Sequence, residues 1–199
     1  MSVRIYVEGG PQGSAKSNCR QAFRALFEKV VPHGSFTVIA SGDRGGAFKD
    51  FCLALEKHRD DYVLLLVDAD EEVTSKPWEH LRSRQGDQWR APEGSQDEQA
   101  HLMVQMMESW FLADKEMLSE YYGKGFVAGS LPRRENIELI AKKDVLTALA
   151  NATRNSQKGE YHKTRHGFDL IECLSPDLLR TGSKHADRLF VVLERETRN

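Results

Sequence analysis

The opening 70 residues constrain the fold more than any other part of the chain. Segments 3–7, 36–40 and 62–67 are short, apolar and rich in β-branched or aromatic residues, which predicts three strands. Two stretches with helical spacing separate them. The first, 15–31, places Cys19, Ala22, Phe23, Leu26, Phe27 and Val30 at intervals that fit one helix face, and Pro32 and Gly34 stop it. The second, 47–58, carries Phe48, Phe51, Cys52 and Leu55. Segment 62–67 is apolar without alternation, which suits a strand buried on both faces of a parallel sheet. Strand, helix, strand, helix, strand predicts a doubly wound α/β fold with right-handed crossovers. In such sheets ligands bind at the carboxyl ends of the strands.

That edge carries acids. Glu8 follows the first strand, and Asp68 and Asp70 follow the third as Val-Asp-Ala-Asp. Residues i and i+2 of an extended segment point the same way, so both aspartates are expected to face one point. Converging carboxylates repel unless a cation joins them or one is protonated. Mg²⁺ (or Mn²⁺) is the expected occupant, because it takes hard oxygen ligands and keeps several waters. Such a centre suits phosphodiester chemistry. Glu8 would ligate metal or act as general base. Aspartates after a strand also serve as helix N-caps and turn formers, which is the structural alternative.

A fourth strand is expected at 102–105, feeding a helix over 106–122. Glu108 then sits in the first helical turn, among Met107, Trp110 and Phe111. An acid in apolar surroundings is a candidate fourth ligand. Residues 71–100 read as a long polar excursion containing Trp78 and Trp89. Further helices are expected at 142–154, 168–174 and 184–195. Two regions result: an α/β core over 1–122, and a helical C-terminal extension of the same domain over 123–199.

Composition excludes several functions. The 199 residues carry 28 Lys and Arg against 30 Asp and Glu, a net charge of -2, so no global basic field advertises nucleic acid. Any nucleic-acid contact needs a local patch. The 40% hydrophobic share supports an ordinary core. No apolar run reaches membrane-spanning length, and the start MSVRIYVEGG lacks a signal peptide's apolar region. Cys19, Cys52 and Cys173 are too few and too scattered for a disulfide framework, which fits a reducing cytoplasm.

The local patch is Lys158 to His166. Lys158, His162, Lys163, Arg165 and His166 are candidate phosphate contacts, and His162 or His166 is also a candidate proton donor. Arg44, after the second strand, is a candidate phosphate clamp on the active edge. Lys142-Lys143 and Arg133-Arg134 read as surface charge. A competing reading lies in residues 10–17, Gly-Pro-Gln-Gly-Ser-Ala-Lys-Ser, which nearly match the phosphate-cradling loop of nucleotide-binding NTPases and kinases. Ala15 replaces its last glycine, Pro11 removes a donor, and the reading leaves Glu8 and Asp70 unexplained. A third reading is non-catalytic: a partner subunit that docks an ATPase through Trp78, Trp89 and the 71–100 excursion.

With Glu8, Asp68 and Asp70 so placed, the chain resembles a Toprim domain, whose pattern is a glutamate after the first strand and AspXxxAsp after a later one. It resembles more closely a bacterial Toprim-like family, domain of unknown function 4276. That likeness is carried by Ile-Tyr-Val-Glu-Gly-Gly, Val-Asp-Ala-Asp, the segment from Val104 to Asp114 and Tyr161-His162-Lys163, and it spans most of the chain. It implies a Toprim-like α/β fold and kinship with overcoming-lysogenization-defect nucleases. It also implies an ATPase partner of the AAA or ABC type, and a role in phage defence. The expected activity is Mg²⁺-dependent cleavage of a phosphodiester backbone, DNA above all.

Overall fold

The computed structural model describes residues 2–10 and 13–198. Four strands, β1 (Val3–Val7), β2 (Phe36–Ala40), β3 (Tyr62–Asp68) and β4 (Ala100–Met103), form one sheet in the order β2-β1-β3-β4. Every pairing is parallel. Helices α1 (Ser14–Glu28) and α2 (Arg44–Lys57) connect the first three strands, as the hydrophobic spacing predicts.

The unbroken apolar run of β3 has a direct cause. Leu64 and Leu66 pack with Ile5, Val7 and Phe23 in one core. Val63, Leu65 and Val67 pack with Tyr6, Phe51 and Trp78 in the other. Both faces of the central strand are therefore dry, and each of its leucines contributes about 2 kcal/mol by burial. The first core also holds side chains of the C-terminal helices α5 (Lys142–Thr153), α6 (Lys163–Cys173), α7 (Pro176–Gly182) and α8 (Lys184–Thr197). The region after residue 122 thus closes one face of the sheet. On α8, Arg188 donates to the carbonyls of Ala100 at 2.9 Å and Asp97 at 2.5 Å, so this helix is tied to the outermost strand β4.

Several boundaries differ from expectation. The helix expected over 106–122 is two elements. A 3₁₀ segment, Met107–Ala113, ends at Asp114, whose side chain accepts the Met117 N–H at 2.9 Å and starts α4 (Lys115–Tyr122). A capping aspartate outweighed the apolar periodicity. Strand β4 begins at Ala100, two residues before the expected start, and α6 begins at Lys163, five before. Two helices of seven residues were not expected: α3 (Pro77–Ser83), inside the polar excursion, and α7. Each opens on a proline in its first turn, and each is too short to show a period. Trp78 and Trp89 are not a free docking surface. Trp78 is buried against Phe51, and its indole donates to the Gln96 carbonyl at 3.0 Å. Trp89 stacks on Phe48 at 4.3 Å. No helix among the described residues is long and apolar enough to cross a membrane.

Candidate functional site

The strand order reverses between β1 and β3: the chain leaves β1 toward β2 and leaves β3 toward β4. Loops diverge at such a switch point and open a crevice at the carboxyl edge. Glu8 and Asp68 stand there side by side. The Glu8 N–H donates to the Leu66 carbonyl at 3.0 Å, and the Glu8 carboxylate accepts the Asp68 N–H at 3.1 Å. A 340 Å³ cavity opens between them, lined also by Gly10, Met107, Lys163 and Phe168. Its tight wall depends on Gly10, which has φ +67° and where a Cβ would meet the Ala15 carbonyl at 2.4 Å.

Asp68 is the most perturbed acid of the site. Its carboxylate accepts the Met107 N–H at 2.7 Å, at the start of the 3₁₀ segment. Burial pushes its carboxyl up to about 7, and the Glu8 and Glu108 carboxylates add to this, while Lys163 and the Met107 N–H oppose it. Glu108 is fully buried beneath. Its Oε1 accepts the Tyr161 hydroxyl at 3.1 Å and pairs with Lys163 at 3.3 Å. Its Oε2 is buried without a hydrogen-bond partner among the described residues. Burial and the Glu108 carboxylate push the Tyr161 phenol far up, so it stays a proton donor. Burial pulls the Lys163 ammonium down, but Glu108 and Asp68 more than offset this and hold it charged.

Asp70 lies in different company. Its backbone has φ +67°, outside the extended region. The i, i+2 rule therefore does not carry its side chain to the point Asp68 faces, which corrects the expectation of a shared focus. The Asp70 carboxylate pairs with Lys142, with Arg84 at 2.5 Å and with Arg44 at 3.7 Å. Arg44 is the hinge between the two sides. It grips Asp87 with two bonds, at 2.8 and 2.6 Å, donates to the Asp68 carbonyl, and reaches Glu8 at 3.4 Å. Its guanidinium also lies 5.1 Å over the Trp89 ring. Arg84 bonds Asp87 at 2.8 Å as well. Burial alone would raise the Asp87 carboxyl, but the two guanidiniums hold it below the ordinary range.

Sequence reasoning missed Arg84, Asp87 and Tyr161, and it misread Lys142 as surface charge. Only the loop after β3 and helix α3 bring Arg84 and Asp87 back to the edge, and no sequence spacing encodes that return. Of the basic segment, Lys163 alone reaches the acids. His166 is buried, and its Nδ1 lies 3.2 Å from both the His162 N–H nitrogen and the Tyr122 hydroxyl, a structural role. Lys158 sits 3.9 Å over the Tyr121 ring. His162 and Arg165 are exposed at the start of α6. In the competing glycine loop, Pro11 and Gln12 lie outside the described residues, and Lys16 is exposed on α1.

No three His, Cys, Asp or Glu side chains among the described residues form a ready metal cage. The donor set nonetheless fits Mg²⁺, which is commonly held by one or two carboxylates and completed by water and phosphate oxygens. Glu8, Asp68 and Glu108 are answered by Lys163 and by the 3.4 Å contact of Arg44 with Glu8, and Glu108 Oε2 lacks a partner among the described residues, so the acids outnumber the cations that face them. No curated protein and no solved structure matches the chain. Residues 12–194 match the family described as domain of unknown function (DUF4276), a span that covers α1 to α7, most of α8 and three strands while Glu8 and β1 precede it, and the chain belongs to that family.

Proposed function

We propose that the chain is a Mg²⁺-dependent phosphodiester-cleaving protein of Toprim type. The observation that carries this reading is the pairing of Glu8 and Asp68 across the switch point of a parallel sheet, with Lys163 in the same cavity. Bound metal would supply an activated water and charge stabilisation for the leaving oxygen. Glu8 and Asp68 would hold it. Lys163 offsets the charge of the acids and faces a substrate phosphate. Glu108 and Tyr161 fix the height of Lys163 above the pocket floor.

The near-neutral net charge of -2 gives little unaided grip on nucleic acid. An ATPase partner of the AAA or ABC type, as the Toprim likeness implies, would supply that affinity. DNA is the proposed substrate, phage defence the setting, and the cytoplasm the compartment. The free cysteines Cys19, Cys52 and Cys173 suit that compartment.

Calorimetric titration of Mg²⁺ and Mn²⁺, with and without a short single-stranded oligonucleotide, tests the reading. The expected result is a carboxylate-dependent site that vanishes in Glu8→Gln/Asp68→Asn. Metal affinity unchanged in that double variant sinks it.

A further inference from the structure

Three cations, Arg44, Arg84 and Lys142, converge on a single carboxylate, that of Asp70. They come from three separate elements: the start of α2, the end of α3 and the start of α5. Glu8 touches Arg44 alone, at 3.4 Å; two further acids each bind both guanidiniums, and those two are not equivalent. Asp87 has 2% of its side chain exposed and binds both guanidiniums from below, so it sets their orientation. Asp70 has 23% exposed and lies on the solvent side of the same cations. Its backbone there is left-handed, with φ +67°.

We propose that Arg44, Arg84 and Lys142 form the receptor for a backbone phosphodiester of the substrate, and that Asp70 occupies it as an internal stand-in until substrate displaces it. A carboxylate spreads one negative charge over two oxygens. A phosphodiester does the same over its two non-bridging oxygens, whereas a terminal phosphate carries close to two charges near neutral pH. Arginine forks suit such a pair of oxygens, and Lys142 supplies a point charge beside them. Arg44 also contacts Glu8 and the Asp68 carbonyl, so a phosphate held here lies next to the acid pair. The inference deepens the phosphodiester reading above and rests on it for the substrate class, but the receptor itself needs no metal.

The experiment is fluorescence anisotropy of the full chain with a labelled single-stranded oligonucleotide lacking terminal phosphates, in EDTA. Asp70→Asn keeps the size of the side chain and removes the competing charge. It is expected to bind at least about tenfold tighter than wild type, a change worth about 1.4 kcal/mol. Adding Lys142→Gln is expected to abolish the gain, and Glu93→Gln, the same charge change on an exposed loop, to produce none. No gain in Asp70→Asn overturns the proposal, as does a gain that survives Lys142→Gln, a gain equalled by Glu93→Gln, or competition by terminal phosphates alone. Should Asp70→Asn fail to fold, thermal melting of wild type with rising oligonucleotide decides. An upward shift lost in Lys142→Gln supports the receptor, and no shift overturns it. Metal titration is a separate readout, so loss of the receptor and loss of the Glu8–Asp68 centre are told apart.

Discussion

Asp68 and Asp70 are two residues apart and live in opposite electrostatic surroundings. Asp68 is buried against two other carboxylates and one lysine, and its carboxyl rises to about 7. Asp70 is half-buried and ringed by three cations. The backbone makes the difference. Asp68 is the last residue of β3, and Asp70 follows a turn into positive φ. One short acidic motif therefore builds two half-sites, one short of positive charge and one rich in it, with Arg44 shared between them. Placing both at one edge suits a polyanion that must meet a metal and a cationic cradle together.

The largest effect that persists at every pH is expected on the cationic side. Asp87→Ala strips two largely covered guanidiniums of the more buried of their two shared partners and leaves only Asp70 to both. It should cost about 2–3 kcal/mol and lower the melting temperature by roughly 5–10 °C. A variant that melts with wild type would show that the cations orient without Asp87 and would dissolve the contrast between the two aspartates.

Next is a pH effect confined to the acidic side, absent in acid and larger only near and above neutrality. The Asp68 carboxyl sits at about 7 in the fold against an ordinary 3.8. Between those values the folded state holds a proton that the unfolded state has lost, so stability falls as pH rises through that window and stays lowered above it. Asp68→Asn removes this loss. In EDTA the variant should exceed wild type at pH 8 by on the order of 4 kcal/mol, and the two should converge below pH 4. Parallel profiles across pH 4–8 would place Asp68 in ordinary surroundings.

The smallest effect sharpens the boundary. Trp89→Ala removes the stack on Phe48 and the ring beneath Arg44. It should cost about 1–2 kcal/mol in chemical denaturation and leave Mg²⁺ titration unchanged. A change in metal affinity would mean that Arg44 transmits strain from one half-site to the other.

The sequence made the sheet legible because β3 is buried on both faces and its apolar run is continuous. The positions of β1, β2, α1 and α2 followed from period and from their stop signals. Glu8, Asp68, Glu108 and Lys163 were legible because strand ends and an acid among apolar residues are local features. Arg84, Asp87 and Lys142 were not, since only long-range closure brings them together. Asp70 was placed on the right edge with the wrong orientation, because a period-two argument ends where the strand ends. Short helices such as α3 and α7 escape any periodic reading for want of turns.

The tie between α8 and β4 bears on the order in which the molecule is completed during synthesis. Arg188 anchors a strand that left the ribosome 88 residues earlier. Until then β4 has its neighbour β3 on one side and no helix on the other, and the core beneath β1 and β3 lacks Leu189, Phe190 and Leu193. From the end of β4 to the start of α8 the nascent chain therefore carries a strand edge and an apolar face uncovered, the two features that invite misassociation. Ribosome-bound chains stalled before residue 184 should engage chaperones, and chains extended past the final helix should release them.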